Sequence, residues 1–232
     1  MACAIPHGIL IERTARMMQK RTAFILSGIL CLLPIVLGLA LYEDLPAQLA
    51  VHWNVQGVPD RYAAKAVTVF GLPLLFFALN ALVRAAVARN PQPERIPAAM
   101  RLLALGLCPL LSLLLVPVTL FIGMGKNIPI VPLVAVLLGL IFCVSGNYLP
   151  KSRRNSLSGI KLPWTLRSDE NWNKTHRLAG YLWVLGGIAI ICGAFLLSAN
   201  VLHIAVFTGC TLFTLLGIPC GYSFALSQKE KK

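Results

Sequence analysis

Charge is missing from long tracts of this chain, and that absence decides the solvent in which it folds. Between Arg21 and Glu43 lie 21 uncharged residues, between Lys65 and Arg84 there are 18, and the intervals Arg101 to Lys126 and Lys126 to Lys151 hold 24 each. From Leu178 to Gln228 run 51 residues whose only Lys, Arg, Asp, Glu or His is His203. A helix needs about 20 apolar residues to cross about 30 Å of hydrocarbon. At a rise of about 1.5 Å per residue the last tract is roughly 77 Å long, too much for one crossing. It must fold back, and Ser198-Ala199-Asn200 is the polar break at hand. The predicted fold class is therefore all-α, a polytopic membrane bundle with spans near 22–42, 67–88, 102–125, 128–147, 178–198 and 202–224. Charged residues make up 12% of the chain, about half the level of a soluble domain.

The first span follows a cationic lead (Arg13, Arg16, Lys20, Arg21), as a secretory signal does, and Gly38-Leu39-Ala40 resembles a cleavage site. Signal cores run about 7–15 apolar residues, and this one is longer, so it reads as a retained anchor. Met17-Met18-Gln19-Lys20 would make a natural start, so the true initiator is open.

The formal net charge of +13 invites a nucleic-acid reading until the charges are placed. With six spans and the N-terminus inside, eighteen Lys and Arg fall on the cytoplasmic side, and only Arg61, Lys65 and Lys126 fall outside. The three outer bases are cancelled by Glu43, Asp44 and Asp60. Such a positive-inside bias sets orientation, and attraction to anionic lipid accounts for the rest without direct nucleic-acid binding. The expected organisation is a cytoplasmic leader (1–21), a two-helix module (22–88) with an outer loop (43–66), a cytoplasmic loop (89–101), and spans three and four (102–147). A cytoplasmic motif loop (148–177), spans five and six (178–224) and a cytoplasmic tail (225–232) complete it. The location is the plasma membrane.

All eight acids lie outside the spans. Ion-coupled transporters bury such groups to carry the coupling ion; here only His203 and Asn80 are candidates, and His203 reads as interfacial. Six of the seven cysteines fall in or beside spans with no Cys-x-x-Cys pair, which predicts packing residues rather than a disulfide or metal framework. Small-xxx-small pairs (Ala135/Gly139, Ala189/Gly193, Ala205/Gly209, Gly217/Gly221) allow close helix approach and are expected to pack the bundle internally.

Two loops carry the remaining information. The outer loop holds His52-Trp53-Asn54, with Gly57 and Pro59-Asp60 marking turns. His52 and Trp53 fit either a peptide contact or an interfacial aromatic beside a turn-capping histidine. His52 with Asp60 gives too few ligands for zinc. In the motif loop, Ser168 or Asp169 can cap a helix running into span five, with Glu170 and Lys174 paired at i, i+4. Trp172, His176, Ala179 and Trp183 then share one face. Seven bases with Trp164 and Trp172 suit lipid headgroups or an acidic protein surface. Glu170 and His176, about 240° apart around a helix, do not form an acid–base pair. No nucleophile motif or phosphate loop is present, so no enzymatic activity, catalytic residue or cofactor is expected.

Asn147-Tyr148-Leu149-Pro150-Lys151, Arg154, Gly159-Ile160-Lys161-x-Pro163-Trp164-Thr165-Leu166 and Glu170-Asn171-Trp172-x-Lys174-Thr175-His176-Arg177-x-Ala179-Gly180 resemble the SdpI family of bacterial immunity membrane proteins. The stretch from Leu45-Pro46 through Val51-His52-Trp53-Asn54 to Gly57-x-Pro59-Asp60 resembles the uncharacterised module preceding it in many members. The longer leader departs from the usual pattern. The resemblance implies protection against a secreted toxic peptide and retention of a repressor protein at the membrane. It makes His52, Trp53, Asn54, Gly57, Pro59 and Asp60 candidate outward-facing toxin contacts. Asn147, Pro150, Lys151, Arg153, Arg154, Gly159, Lys161, Pro163, Trp164, Glu170, Asn171, Trp172, Lys174, His176 and Arg177 become a candidate cytoplasmic signalling face. The competing reading is a small-solute permease without ion coupling.

Overall fold

The computed structural model describes residues 7–229, with side chains placed for Met18 and from Arg21 onward. Expectations resting on residues 1–6, on the start at Met17, on the side chains of Glu12, Arg13, Arg16 and Lys20, or on Glu230, Lys231 and Lys232 lie outside what is described. Six helices among the described residues are long and apolar enough to cross a membrane, as the uncharged tracts predict.

The first crossing is α1 (His7–Leu32) followed by α2 (Pro34–Ala40). Pro34 has no N–H to continue the ladder, so the helix breaks at Leu33. Beside the break, Ser112 of α4 (Ala98–Gly123) donates to the Cys31 carbonyl at 2.6 Å. In lipid such carbonyls must be met by protein, since no water is there to meet them. The second crossing opens with a π turn (Val67–Gly71) ahead of Pro73 and continues as α3 (Leu72–Ala88). A wider turn accommodates the proline's missing donor. After α4 come α5 (Ile130–Tyr148), a 3₁₀ turn (Leu149–Lys151), α6 (Asp169–Leu196) and α7 (Val201–Lys229).

The helices form two sets. In the first, α1 to α4 surround a core of Leu45, Leu49, Val69, Val116 and Leu120. In the second, α5 to α7 surround Ala135, Ile190, Ala194, Ile204 and Leu215. Helix α6 lies along both α5 and α7, whereas α4 and α5 touch at few positions. Glycines set the α5–α6 seam. A Cβ on Gly139 would stand 2.7 Å from the Gly187 carbonyl, and one on Gly146 would stand 2.9 Å from the Gly180 carbonyl. Only glycine allows backbones this close. Large apolar side chains such as Leu102, Leu185 and Phe213 point outward, which suits a lipid solvent and would be a liability in water.

Internal packing explains two of the four small-residue pairs. Gly139 meets α6, and Gly193 meets Phe207 of α7. Gly209, Gly217 and Gly221 face open space instead, so the expectation of bundle packing fails for Ala205/Gly209 and Gly217/Gly221.

One element is additional to the helical bundle. Residues between the first two crossings form a hairpin, β1 (Gln48–Trp53) antiparallel to β2 (Pro59–Ala64), with irregular register around His52. It defines a hairpin end of the bundle, opposite a loop end made of residues 89–97 and 149–168.

Candidate functional site

The loop end is built around the start of α6. Ser168 caps it, its hydroxyl accepting the Asn171 N–H at 3.2 Å, and Asp169 and Glu170 occupy the first turn, where acids suit the helix dipole. Glu170 and Lys174 form the expected pair at 2.6 Å. One turn further in, the motif residues turn inward. Trp172 donates its indole N–H to the Ser152 carbonyl at 2.8 Å and stacks on His176, with ring centroids 3.9 Å apart. His176 Nε2 accepts the Ile160 N–H at 2.9 Å. That bond fixes the imidazole as neutral, with Nδ1–H donating to the Trp172 carbonyl at 2.8 Å. Asn171 Nδ2 donates to the Ser223 carbonyl at 3.0 Å, and the Ser223 hydroxyl donates back to Asn171 Oδ1 at 2.6 Å.

The loop closes over this cluster. Gly159 sits at φ +111°, and a Cβ there would run into His176 and the Trp172 ring. The requirement is therefore for glycine, both by conformation and by space. Thr165 joins the Ile160 and Leu162 carbonyls, and Asn155 Oδ1 accepts the N–H groups of Leu157 and Ser158. Arg154 clamps Asp169 at 2.7 Å and the Leu166 carbonyl at 2.7 Å. Trp164 packs edge-on against Phe224, and Pro150 packs on Gly180.

Burial divides the residues of the expected signalling face. Asn171, Trp172 and His176 are fully buried, while Gly159, Trp164 and Arg154 are half-buried under or within the loop. The side chains of Asn171, Trp172 and His176 hold a plug out of a partner's reach, and those of Arg154 and Trp164 brace the loop over it. The physical reason is that a loop without regular structure must find partners for its own backbone, and these side chains supply them. What remains exposed is Asn147, Pro150, Lys151, Arg153, Lys161, Pro163, Glu170, Lys174 and Arg177. Even here Lys161 bends back to the Ser156 and Leu157 carbonyls, at 3.3 Å each, and Lys151 lies over the Tyr148 ring. The same end links the two helix sets. The Arg153 N–H donates to the Arg95 carbonyl and the Arg95 guanidinium to the Arg154 carbonyl, both at 3.0 Å.

At the hairpin end, Asn54 Oδ1 accepts the N–H groups of Gln56 and Val58, both at 3.0 Å, and Gly57 adopts φ +75°. This is a side-chain-capped turn. Pro59 lies opposite Trp53 in the ladder, and His52 Nδ1 is 2.6 Å from Asp60 Oδ1 across the strands, exposed. The hairpin tip reaches the second helix set, since a Cβ on Gly57 would stand 3.2 Å from Val201 and 3.5 Å from Val131. Beneath it opens a groove of about 380 Å³ between α5 and α7, bordered by His52, Trp53, Ala135, Ala205, Thr208 and Gly209. Its walls are almost wholly apolar. The polar exceptions are His52 at the rim and Thr208, 8% exposed, whose hydroxyl has no partner among the described residues.

Of the expected contact residues, His52 and Trp53 border the groove, Asp60 is bound to His52, and Asn54, Gly57 and Pro59 shape the turn. Thr208 and Gly209 carried no sequence signal beyond a small-xxx-small pair, and Ser152, Asn155, Thr165 and Ser223 carried none as partners of the motif tryptophan and histidine.

Residues 151–223 match the SdpI/YfhL protein family, and residues 29–77 match a domain of unknown function (DUF1648). The first match takes in Ser152, Asn171, Trp172, His176 and Ser223 of the buried cluster; the second includes the hairpin. The chain is 24% identical over 182 residues to "Immunity protein SdpI" of Bacillus subtilis (strain 168), covering 78% of this chain and 86% of that protein. No solved structure matches. The chain is a multi-pass plasma-membrane protein in which residues 29–77, bearing the hairpin, match DUF1648 and residues 151–223, which include most of α6 and α7, match the SdpI/YfhL protein family.

Proposed function

We propose that this protein is an immunity protein that protects its cell against a secreted antimicrobial peptide, received at the hairpin end. The supporting observation is the groove beneath the hairpin, to which both matched regions contribute: His52 and Trp53 from the first, Ala205, Thr208 and Gly209 from the second. A membrane-active peptide is mostly apolar, and an apolar groove with an amphipathic tryptophan at its mouth suits such a chain. The charge bias supports a cytoplasmic loop end and an outer hairpin. On the inner side the exposed bases Lys151, Arg153, Lys161 and Arg167 form the face that would hold an acidic surface of a repressor. The similarity to an immunity protein, and to a family not known for enzymes, supports a binding role over a catalytic one.

The test is deletion of the gene followed by challenge with a panel of membrane-active peptides. Sensitivity should rise for at least one peptide and be restored by the wild-type gene, but not by Trp53→Ala at equal membrane abundance. Unchanged sensitivity across the panel with lowered uptake of a small solute would favour a permease instead. Reporter fusions at 56 and 160 should appear on opposite sides of the membrane. For the inner face, charge reversal at Arg153 and Lys161 should abolish recruitment of a cytosolic regulator. Arg154 is unsuitable for that test because its loss opens the loop.

A further inference from the structure

The start of α6 carries a second concave surface, which shares no lining residue with the groove. A cleft of about 820 Å³ lies between α6 and α7, lined by Glu170, Lys174, Arg177, Leu178, Tyr181 and Tyr222. Two cations and one carboxylate leave it net positive. Lys174 is engaged by Glu170, whereas the Arg177 guanidinium has no hydrogen bond or ion pair among the described residues and is exposed. The cleft sits at a chemical boundary, because Arg177 is the last charged residue before the uncharged stretch from Leu178.

From there one face of α6 continues as an outward apolar stripe, with Tyr181 68% exposed, Leu185 66% and Ile188 49%. These positions recur at helical spacing of three and four. Helix α7 supplies the other bank, with Tyr222 39% exposed and Ile218 50%. Tyrosine pairs of this kind mark the headgroup level of a bilayer. A bound molecule would therefore meet a guanidinium first and then two apolar banks running into the hydrocarbon.

We propose that this cleft is a binding site for an anionic phospholipid, its phosphate held by Arg177 with Lys174 and its acyl chains laid along Tyr181, Leu185 and Ile188. An acidic protein could meet the bases but could not follow the stripe into the membrane. Guanidinium binds phosphate through two parallel hydrogen bonds, and each base near an anionic headgroup strengthens binding about fivefold. The site takes Lys174 and Arg177 out of the surface offered to a protein partner, and it stands whether or not the protein confers immunity.

The test uses the full-length protein in detergent, titrated with phosphatidylglycerol or with phosphatidylcholine of identical acyl chains and read by native mass spectrometry. The wild type should retain phosphatidylglycerol in preference. Arg177→Gln should reduce that preference about fivefold, Arg177→Lys should keep most of it, and adding Lys174→Gln should remove what remains. Both side chains are exposed, so thermal midpoints should match the wild type. An unchanged preference in the double variant would overturn the site. So would displacement of the lipid by equimolar inorganic phosphate, or binding of a glutamate-rich peptide with the same sensitivity to these variants.

Discussion

The indole N–H of Trp183 on α6 donates at 2.8 Å to the carbonyl of Leu215 on α7. Leu215 lies four residues before Pro219, the residue whose N–H would have served that carbonyl in an unbroken helix. A tryptophan on one crossing thus repairs the gap that a proline opens in another, and an edge-on contact with Phe142 of α5, centroids 4.9 Å apart, holds the indole in place.

This relationship predicts a rescue. Trp183→Phe should keep most of the packing but leave the Leu215 carbonyl unpaired, lowering stability by about 1–2 kcal/mol in a membrane-like environment. Pro219→Ala restores the missing N–H, so the double variant should recover much of the loss. Thermal midpoints of the four proteins in one detergent form the cycle. Additive losses would show that the indole bond does not substitute for the helical one.

The stack of Trp172 on His176 predicts the behaviour of the loop end. His176→Phe preserves the ring but deletes the acceptor of the Ile160 N–H, at a cost of about 1–3 kcal/mol for a buried unpaired donor. Residues 152–167 should then open first, since the helices keep their own hydrogen bonds. Trypsin should cut faster at Arg153, Lys161 and Arg167 while the transmembrane fragments persist. Trp172→Ala should cost more, about 3–5 kcal/mol, and lower the thermal midpoint as well. Equal trypsin rates in His176→Phe and wild type would show that the loop is held by other contacts.

The six crossings were legible because the bilayer imposes a length and a charge rule on any chain that spans it, so tracts such as 102–125 could be read by counting. The cap at Ser168 and the Glu170–Lys174 pair were legible because they depend on spacing along one helix. The hairpin was less so, since Gln48–Trp53 is too short and irregular for a period of two to stand out, and only Gly57 and Pro59-Asp60 announced a turn. The loop motif was recognised but its orientation was not. Spacing put Trp172 and His176 on one face, yet whether that face met lipid, water or protein depended on Ser152 and Ile160, distant in sequence. The groove was hidden for the same reason, because it exists only where β1, α5 and α7 meet.

The glycine seam separates positions that sequence patterns treat alike. A Cβ on Gly187 would stand 2.6 Å from the Gly139 carbonyl and 2.7 Å from Cys143 Sγ, whereas one on Gly217 would meet nothing within 4 Å. Gly187→Leu should therefore force α5 and α6 apart and cost about 1–3 kcal/mol or more. Gly217→Leu should be neutral within about 0.5 kcal/mol. Thermal unfolding in detergent measures both. A large loss at Gly217 would instead reveal a contact with a second copy or with lipid that the single chain does not contain.

Gly209 offers the sharpest separation of folding from function at the hairpin end. It borders the groove, yet a Cβ there meets nothing within 4 Å, so a larger side chain enters open space and leaves the fold intact. Leucine at this position would project beside Thr208 and occupy part of the 380 Å³ that an apolar peptide segment would otherwise fill. Gly209→Leu should keep the wild-type thermal midpoint and membrane abundance while losing peptide resistance, and Gly209→Ala should fall between the two. Thr208→Val removes the unpartnered hydroxyl without changing the shape, so it should leave the fold as stable or slightly more so. If peptide binding uses that hydroxyl, resistance should fall with Thr208→Val as well. Full resistance in Gly209→Leu at normal abundance would remove the groove from peptide recognition and leave the exposed His52–Asp60 edge of the hairpin as the remaining outer contact.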